Sequence, residues 1–224
     1  MQCIFYVDAS ATPKDSGLFN FFEDTPSKQK MAPAVLAAAL SACATETVLL
    51  NSERVEQRFG NYGIDVLASE AGLRRSSLYS VEKDGRICRT YAVVRFTDDP
   101  DLSYGLEHAR VLAGNSLGEA FKAEGWSIHK QTLHIGSLVV GDRHSGISEL
   151  MKISDERKLA LHVYQLLLVR RDEIFEYATI IEVHHPDYLQ ESDLLETYPY
   201  DNSGALTAAD LASIATLIFN TTEV

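Results

Sequence analysis

Apolar positions along this chain change period several times, and each change marks an element. In LRRSSLYSVEKDGRICRTYAVVRFT, two extended runs rich in β-branched and aromatic residues flank Lys83-Asp84-Gly85. Asp-Gly supplies the positive-φ positions of a tight turn, so this stretch predicts a hairpin. In DLSYGLEHARVLAGNSLGEAFKAEGW the apolar residues fall at 102, 106, 109, 113, 117 and 120, a helical spacing. Gly114-Asn115-Ser116 interrupts that helix, and Ser116, with Glu119 three residues on, is placed to cap a second one. A strand follows over 127–140 and a short helix near 146–153. LALHVYQLLLVRRDEIFEYATIIEV then predicts a second long hairpin, residues 159–170 pairing with 174–184 around Arg171-Asp172-Glu173. TAADLASIATLIF closes the chain as a helix with Thr207 as N-cap.

Strand pairs that return by hairpins, with helices inserted between them, indicate an α+β domain: an antiparallel sheet of two long hairpins plus a further strand, with helices packed on it. Both runs of the second hairpin are apolar on both faces over most of their length, which places them centrally in the sheet. No repeat or second composition zone divides the chain after residue 59, so 59–224 reads as one domain.

Upstream the pattern is different. In KQKMAPAVLAAALSACATET, Lys28 and Lys30 lead into twelve uncharged, mostly small apolar residues, Met31 to Ala42, followed by Cys43. A basic start, a short apolar run and small residues at its end make a secretory signal over 28–42, too short to span a bilayer. Residues 43–58 then read as a tether, and 1–27, acidic and containing two prolines, as a non-native or disordered extension upstream of the true start. The other reading of 31–42 is an Ala/Leu-rich helix in the core.

Leu40-Ser41-Ala42-Cys43 resembles the bacterial lipobox. That resemblance implies a lipoprotein acylated, with palmitate-type chains, at Cys43, whose partner is a lipid bilayer. Ala44 rather than Asp in the next position points to the outer membrane, with the domain facing the periplasm.

Composition narrows the choices further. The net charge is −12, and removing residues 1–42 takes away 3 Lys and 4 Asp/Glu, leaving 17 basic against 28 acidic residues. A domain this acidic does not have a phosphate backbone as its partner, so nucleic acid is excluded. Three cysteines, Cys3, Cys43 and Cys88, make neither a disulfide framework nor a metal-ligand spacing, and Cys88 reads as a small buried apolar residue.

FKAEGWSIHKQTLHIGSLVV, ISELMKIS and LALHVYQLLLVRRDEIFEYATIIEVHHPDYL follow one another as strand, short helix and long hairpin. Over residues 120–190 this order resembles the chorismate-lyase-like fold shared with the effector-binding domains of GntR-type regulators. The chain departs from those families in having no winged-helix segment and in carrying an export signal.

The densest polar cluster beside apolar strand is EVHHPDYL. If 171–173 form the loop of the second hairpin, His162 lies opposite Glu182, and His184 shares their face while His185 points to the other. Glu182, His184 and His162 are therefore the candidate acid/base residues, with a structural histidine held by Glu182 as the plainer reading. His184 and His185 point apart, and neither HExxH nor CxxC occurs, so no metal site and no cofactor are expected. Arg74, Arg75, Arg86, Arg89 and Arg95 lie on the first hairpin, and Arg75, Arg89 and Arg95 are candidate ligands for a carboxylate. These readings imply an envelope lipoprotein whose domain binds a small molecule or another envelope protein without catalysis. The alternative is a lyase-like enzyme acting on a small carboxylate.

Overall fold

The computed structural model describes residues 28–30, 40–41, 49–70, 72–97, 102–141, 145–171, 173–200 and 206–219. The extension at 1–27, residues 31–39 of the apolar run and the lipobox cysteine Cys43 lie outside the described residues.

In chain order the elements are β1 (Lys28–Lys30), α1 (Asn51–Phe59), β2 (Gly63–Glu70), β3 (Leu73–Glu82), β4 (Gly85–Phe96), a 3₁₀ turn (Leu102–Tyr104), α2 (Gly105–Leu112), α3 (Leu117–Lys122), β5 (Ser127–Val140), α4 (Ser145–Met151), β6 (Arg157–Arg170), β7 (Glu173–His184), α5 (Glu191–Thr197) and α6 (Ala208–Phe219). The fold is α+β, on one antiparallel sheet of order β2-β3-β4-β7-β6-β5, with β1 pairing β7 beside this path. Both expected hairpins are present: β3–β4 turns through Lys83-Asp84 into Gly85 at φ 100°, and β6–β7 closes with Arg170 opposite Glu173. The second hairpin supplies the sheet's centre, as its two apolar faces require.

Two local outcomes differ from the sequence reading. The stretch expected as a tether contains α1, whose Ser52 and Val55 are buried and whose C-terminus is closed by Gly60 at φ 78°. As expected, the helical stretch across 102–120 is divided into α2 and α3, with Gly114 at φ 108° between them. Ser116 precedes α3 in an extended conformation but makes no capping bond, and the Glu119 carboxylate accepts a hydrogen bond from the Tyr62 hydroxyl instead. At α6 the expected cap is present. The Thr207 amide donates to Asp210 at 2.7 Å, and the Asp210 amide donates to the Thr207 hydroxyl at 3.2 Å.

The two faces of the sheet are packed differently. On one, Tyr91, Val93, Leu161, Val163, Ile181 and Val183 meet α4 and α6 through Ile147, Met151, Ile214 and Ile218 in a continuous apolar layer. On the other are two separate clusters. One is aromatic, with Tyr104, Phe121, Trp126, Phe175 and Tyr177 under α2 and α3. The second joins Val55 of α1 and Leu194 of α5 to Leu78, Ile135 and Ala160. The starts of α1 and α3 face the sheet between these clusters, and Leu50 occupies the space that a Cβ on Gly118 would need. A cavity opens there.

Candidate functional site

Strand register assembles the site. Glu182 of β7 lies between Ala92 of β4 and His162 of β6, and His184 lies between Thr90 and Ala160. Side chains alternate across a sheet, so Thr90, Ala92, Val94, Ile180, Glu182, His184, His162 and Tyr164 share the face on which the cavity opens. The pairing of His162 with Glu182 is the expected one, although the loop is one residue shorter than the 171–173 read from the sequence and the bulge between Leu166 and Leu167 offsets the difference. His185 lies on the opposite face, its Nε2 donating to the Met151 carbonyl at 3.1 Å. Lys130 comes from β5, where it pairs with Leu166 and so projects from the same face.

Glu182 is the hub of this group. One carboxylate oxygen accepts a hydrogen bond from Asn51 Nδ2 at 3.4 Å; the other lies 3.9 Å from Lys130 Nζ and 3.8 Å from His184 Nε2. Burial pushes the Glu182 carboxyl upward, but Lys130 and His184, with hydrogen bonds from Tyr164 and Asn51, outweigh it and hold the group below its ordinary range. Lys130 is the counterpart. Burial favours its neutral amine, the Glu182 carboxylate reverses that effect, and the ammonium sits 4.3 Å over the Tyr164 ring and 5.4 Å from the Tyr198 ring. The centre is thus a buried ion pair.

The histidines around it are neutral. Burial pushes His184 down to about 4, and burial together with the Lys130 charge lowers His162 well below the usual imidazole range. Each ring is held at one nitrogen by a threonine hydroxyl: His184 Nδ1 is 2.9 Å from Thr90 Oγ1, and His162 Nε2 is 3.2 Å from Thr132 Oγ1. The other nitrogens, His184 Nε2 and His162 Nδ1, are buried with no hydrogen-bond partner among the described residues. Ligand atoms of His162, Glu182 and His184 lie within 4.8 Å of one another.

The cavity has a volume of about 100 Å³. Glu182, Lys130, Thr90 and Asn51 form its polar end, while Leu78, Val94, Ile128, Leu166 and Ile180 line its body. Arg74 also lines it, from β3. Its guanidinium is buried, at 2% exposure, and Nη1 donates to the Asn115 carbonyl at 3.2 Å. Nε has no partner and the group has no ion pair among the described residues, and burial lowers its pKa. An unpaired buried cation against a cavity wall has the chemistry to receive an anionic group.

Of the five arginines named from the sequence, Arg74 lines the cavity and the other four lie elsewhere. Arg75 projects from the opposite face, where Nη1 donates to the Tyr91 hydroxyl at 2.9 Å. Arg89 is bound to Glu82 and donates to Ser80 Oγ at 2.8 Å, its guanidinium 3.9 Å over the Phe59 ring. Arg95 alternates with Val94 and so faces away from the cavity. Arg86 pairs with Asp65 at 2.8 Å on the surface. None of the four lines the cavity. Arg74 does, and Lys130, Tyr164, Asn51 and Thr90 belong to the site without having been singled out in the sequence. Cys88 is buried in the apolar layer of the other face, which pushes its thiol up to about 12.

This face therefore offers a small cavity with one unpaired guanidinium, a buried carboxylate–ammonium pair and two neutral imidazoles. Set against models of known protein families, curated proteins and solved structures, the chain matches none.

Proposed function

We propose that the chain is a non-enzymatic binding domain for a small carboxylate-bearing molecule, tethered to the bacterial envelope through an acylated Cys43. The observation that carries the binding reading is Arg74. A buried guanidinium costs several kcal/mol unless a partner offsets its desolvation, and here the residue lines a cavity and its Nε has no partner among the described residues. An incoming carboxylate completes that pair, the apolar walls take the ligand's body, and Thr90, Asn51 or Lys130 meets a hydroxyl or carbonyl at its far end. Lys130 is not an equivalent receptor, because Glu182 already neutralises it.

The lipobox resemblance and the apolar run before it support the anchoring half of the proposal. Supporting the lyase-like resemblance is the order β5, α4, β6–β7, which repeats the strand, short helix and long hairpin read from residues 120–190. An enzymatic reading is favoured by one observation, the neutral His184 imidazole 3.8 Å from the ionised Glu182, which together could move a proton at the cavity's polar end.

Thermal-shift and calorimetric titration of the purified domain with acetate, butyrate and benzoate tests the binding reading. Binding of at least one of them should weaken roughly tenfold to a hundredfold in Arg74→Leu, the range of one charge-assisted hydrogen-bonded contact. Carboxylates that bind equally to wild type and to folded Arg74→Leu would defeat the assignment.

A further inference from the structure

Glu182 Oε2 stands 3.8 Å from His184 Nε2, too far for a hydrogen bond, although both residues are buried and Nε2 has no hydrogen-bond partner among the described residues. Nitrogen and oxygen ligands ~2.1 Å from a tetrahedral ion are ~3.4 Å apart, so a spacing a few tenths wider suits a shared ion better than a direct contact.

We propose that His162, Glu182 and His184 form a binding site for a divalent transition metal ion of the zinc class. Two features of the histidines fit. Each has one ring nitrogen without a partner among the described residues, as a ligand requires. Each has the other nitrogen fixed by a threonine hydroxyl, Thr90 for His184 and Thr132 for His162, the outer support that orients metal-bound imidazoles. The His184 tautomer that coordinates through Nε2 carries its proton on Nδ1, where Thr90 Oγ1 at 2.9 Å accepts it. Thr90 also accepts from Asn51 Nδ2 at 3.0 Å, so the hydroxyl has a lone pair for each donor.

Two imidazoles and one carboxylate from adjacent strands leave at least one coordination position, and the cavity beside Glu182 gives a small ligand access to it. Lys130 opposes the ion. It holds the same carboxylate oxygen at 3.9 Å, so a metal must weaken that pair, and the Tyr164 and Tyr198 rings remain as the ammonium's neighbours. Lys130 therefore sets the affinity of the site, which goes beyond the carboxylate-binding reading and does not depend on it.

The test is titration of chelator-treated, full-length protein with Co²⁺ and Zn²⁺, followed by X-ray absorption of the zinc-loaded form. One ion per chain with two imidazole nitrogens in its shell is the expected result. His162→Gln and His184→Gln should each weaken uptake at least tenfold, and Lys130→Met should tighten it. No uptake, a shell without imidazole, or unchanged affinity in folded His184→Gln would overturn the proposal. If the glutamine variants do not fold, the wild-type stoichiometry and absorption spectrum decide it. Carboxylate binding through Arg74 without metal uptake overturns this inference alone, and metal uptake without carboxylate binding overturns only the other.

Discussion

Replacing Lys130 by Met removes one half of a buried ion pair while keeping the length of the side chain. At the observed 3.9 Å the attraction between the two charges is about 4 kcal/mol with an effective dielectric of ~20. Desolvation of the intact pair offsets much of that, so the pair's net contribution is small. The single substitution is different because it strands Glu182, and the expected loss at pH 7 is about 3–5 kcal/mol. Urea unfolding followed by far-UV circular dichroism measures it. Glu182→Gln should relieve the Lys130→Met defect, so the double variant loses much less than the sum of the two single losses. The pH dependence has a definite sign. In wild type Glu182 titrates below its unfolded value, and the stability this contributes is present above about 4.5 and lost as pH falls. In Lys130→Met the folded-state pKa of Glu182 is raised, so its penalty grows as pH rises and fades as the group protonates. The gap between the two proteins should therefore narrow between pH 7 and about pH 5. A loss below about 1 kcal/mol, additive single losses, or a gap that widens on acidification would refute the buried-pair account.

Two further outcomes follow from the same face and from the chain's beginning. His184 titrates at about 4 in the fold against 6.5 in the unfolded chain, so stability present above 6.5 is lost as pH falls toward 4, by about 3 kcal/mol from this group alone; urea midpoints that stay flat over that interval in wild type, yet match those of folded His184→Gln, would contradict it. Cys43→Ala should release the protein from membranes or leave it unprocessed in detergent partitioning and intact-mass measurements of bacterially expressed chain, whereas Cys88→Ala should do neither; wild-type protein that is soluble, cytosolic and still carries residues 31–42 would defeat the lipoprotein reading.

The register of the second hairpin was legible because its loop is short and its side chains alternate. Placing the turn at residues 171–173 set His162 against Glu182, although Glu173 pairs with Arg170 and the loop is one residue shorter than read. That arithmetic extends only as far as the pairing is regular, and a bulge between Leu166 and Leu167 shifts it by one residue toward the turn. Lys130 could not be located in this way. It reaches Glu182 from β5, a strand whose register to β6 depends on a long connection through α4 and itself contains a bulge between Thr132 and His134. Arg74 and Arg75 show how sharp the limit is. One residue separates a cavity-lining guanidinium from one on the opposite face, and no period in RRSS tells which side is which until β4 is paired beside it. The helix α1 was missed for another reason. NSERVEQRF has few apolar residues, yet Ser52 and Val55, three apart, form the stripe that buries it.

The contrast between the two faces of the sheet bears on why a binding site is the better reading than a scaffold. A sheet face is stabilised most simply by apolar packing, and the face against α4 and α6 does this with an almost wholly apolar layer. On the other face Arg74, Lys130, His162, Glu182 and His184 are gathered beneath helices that could have covered apolar residues in their place. Replacing a buried ion pair by packed apolar side chains is commonly neutral or stabilising, so stability does not account for the group. Incomplete pairing sharpens the point. Arg74 Nε, His162 Nδ1 and His184 Nε2 lack partners among the described residues, and each unsatisfied buried polar atom costs about 1–3 kcal/mol. A fold can carry those costs where something it binds completes the pairing, and one cationic donor and two imidazole nitrogens are the groups that the proposed carboxylate and metal ion would complete.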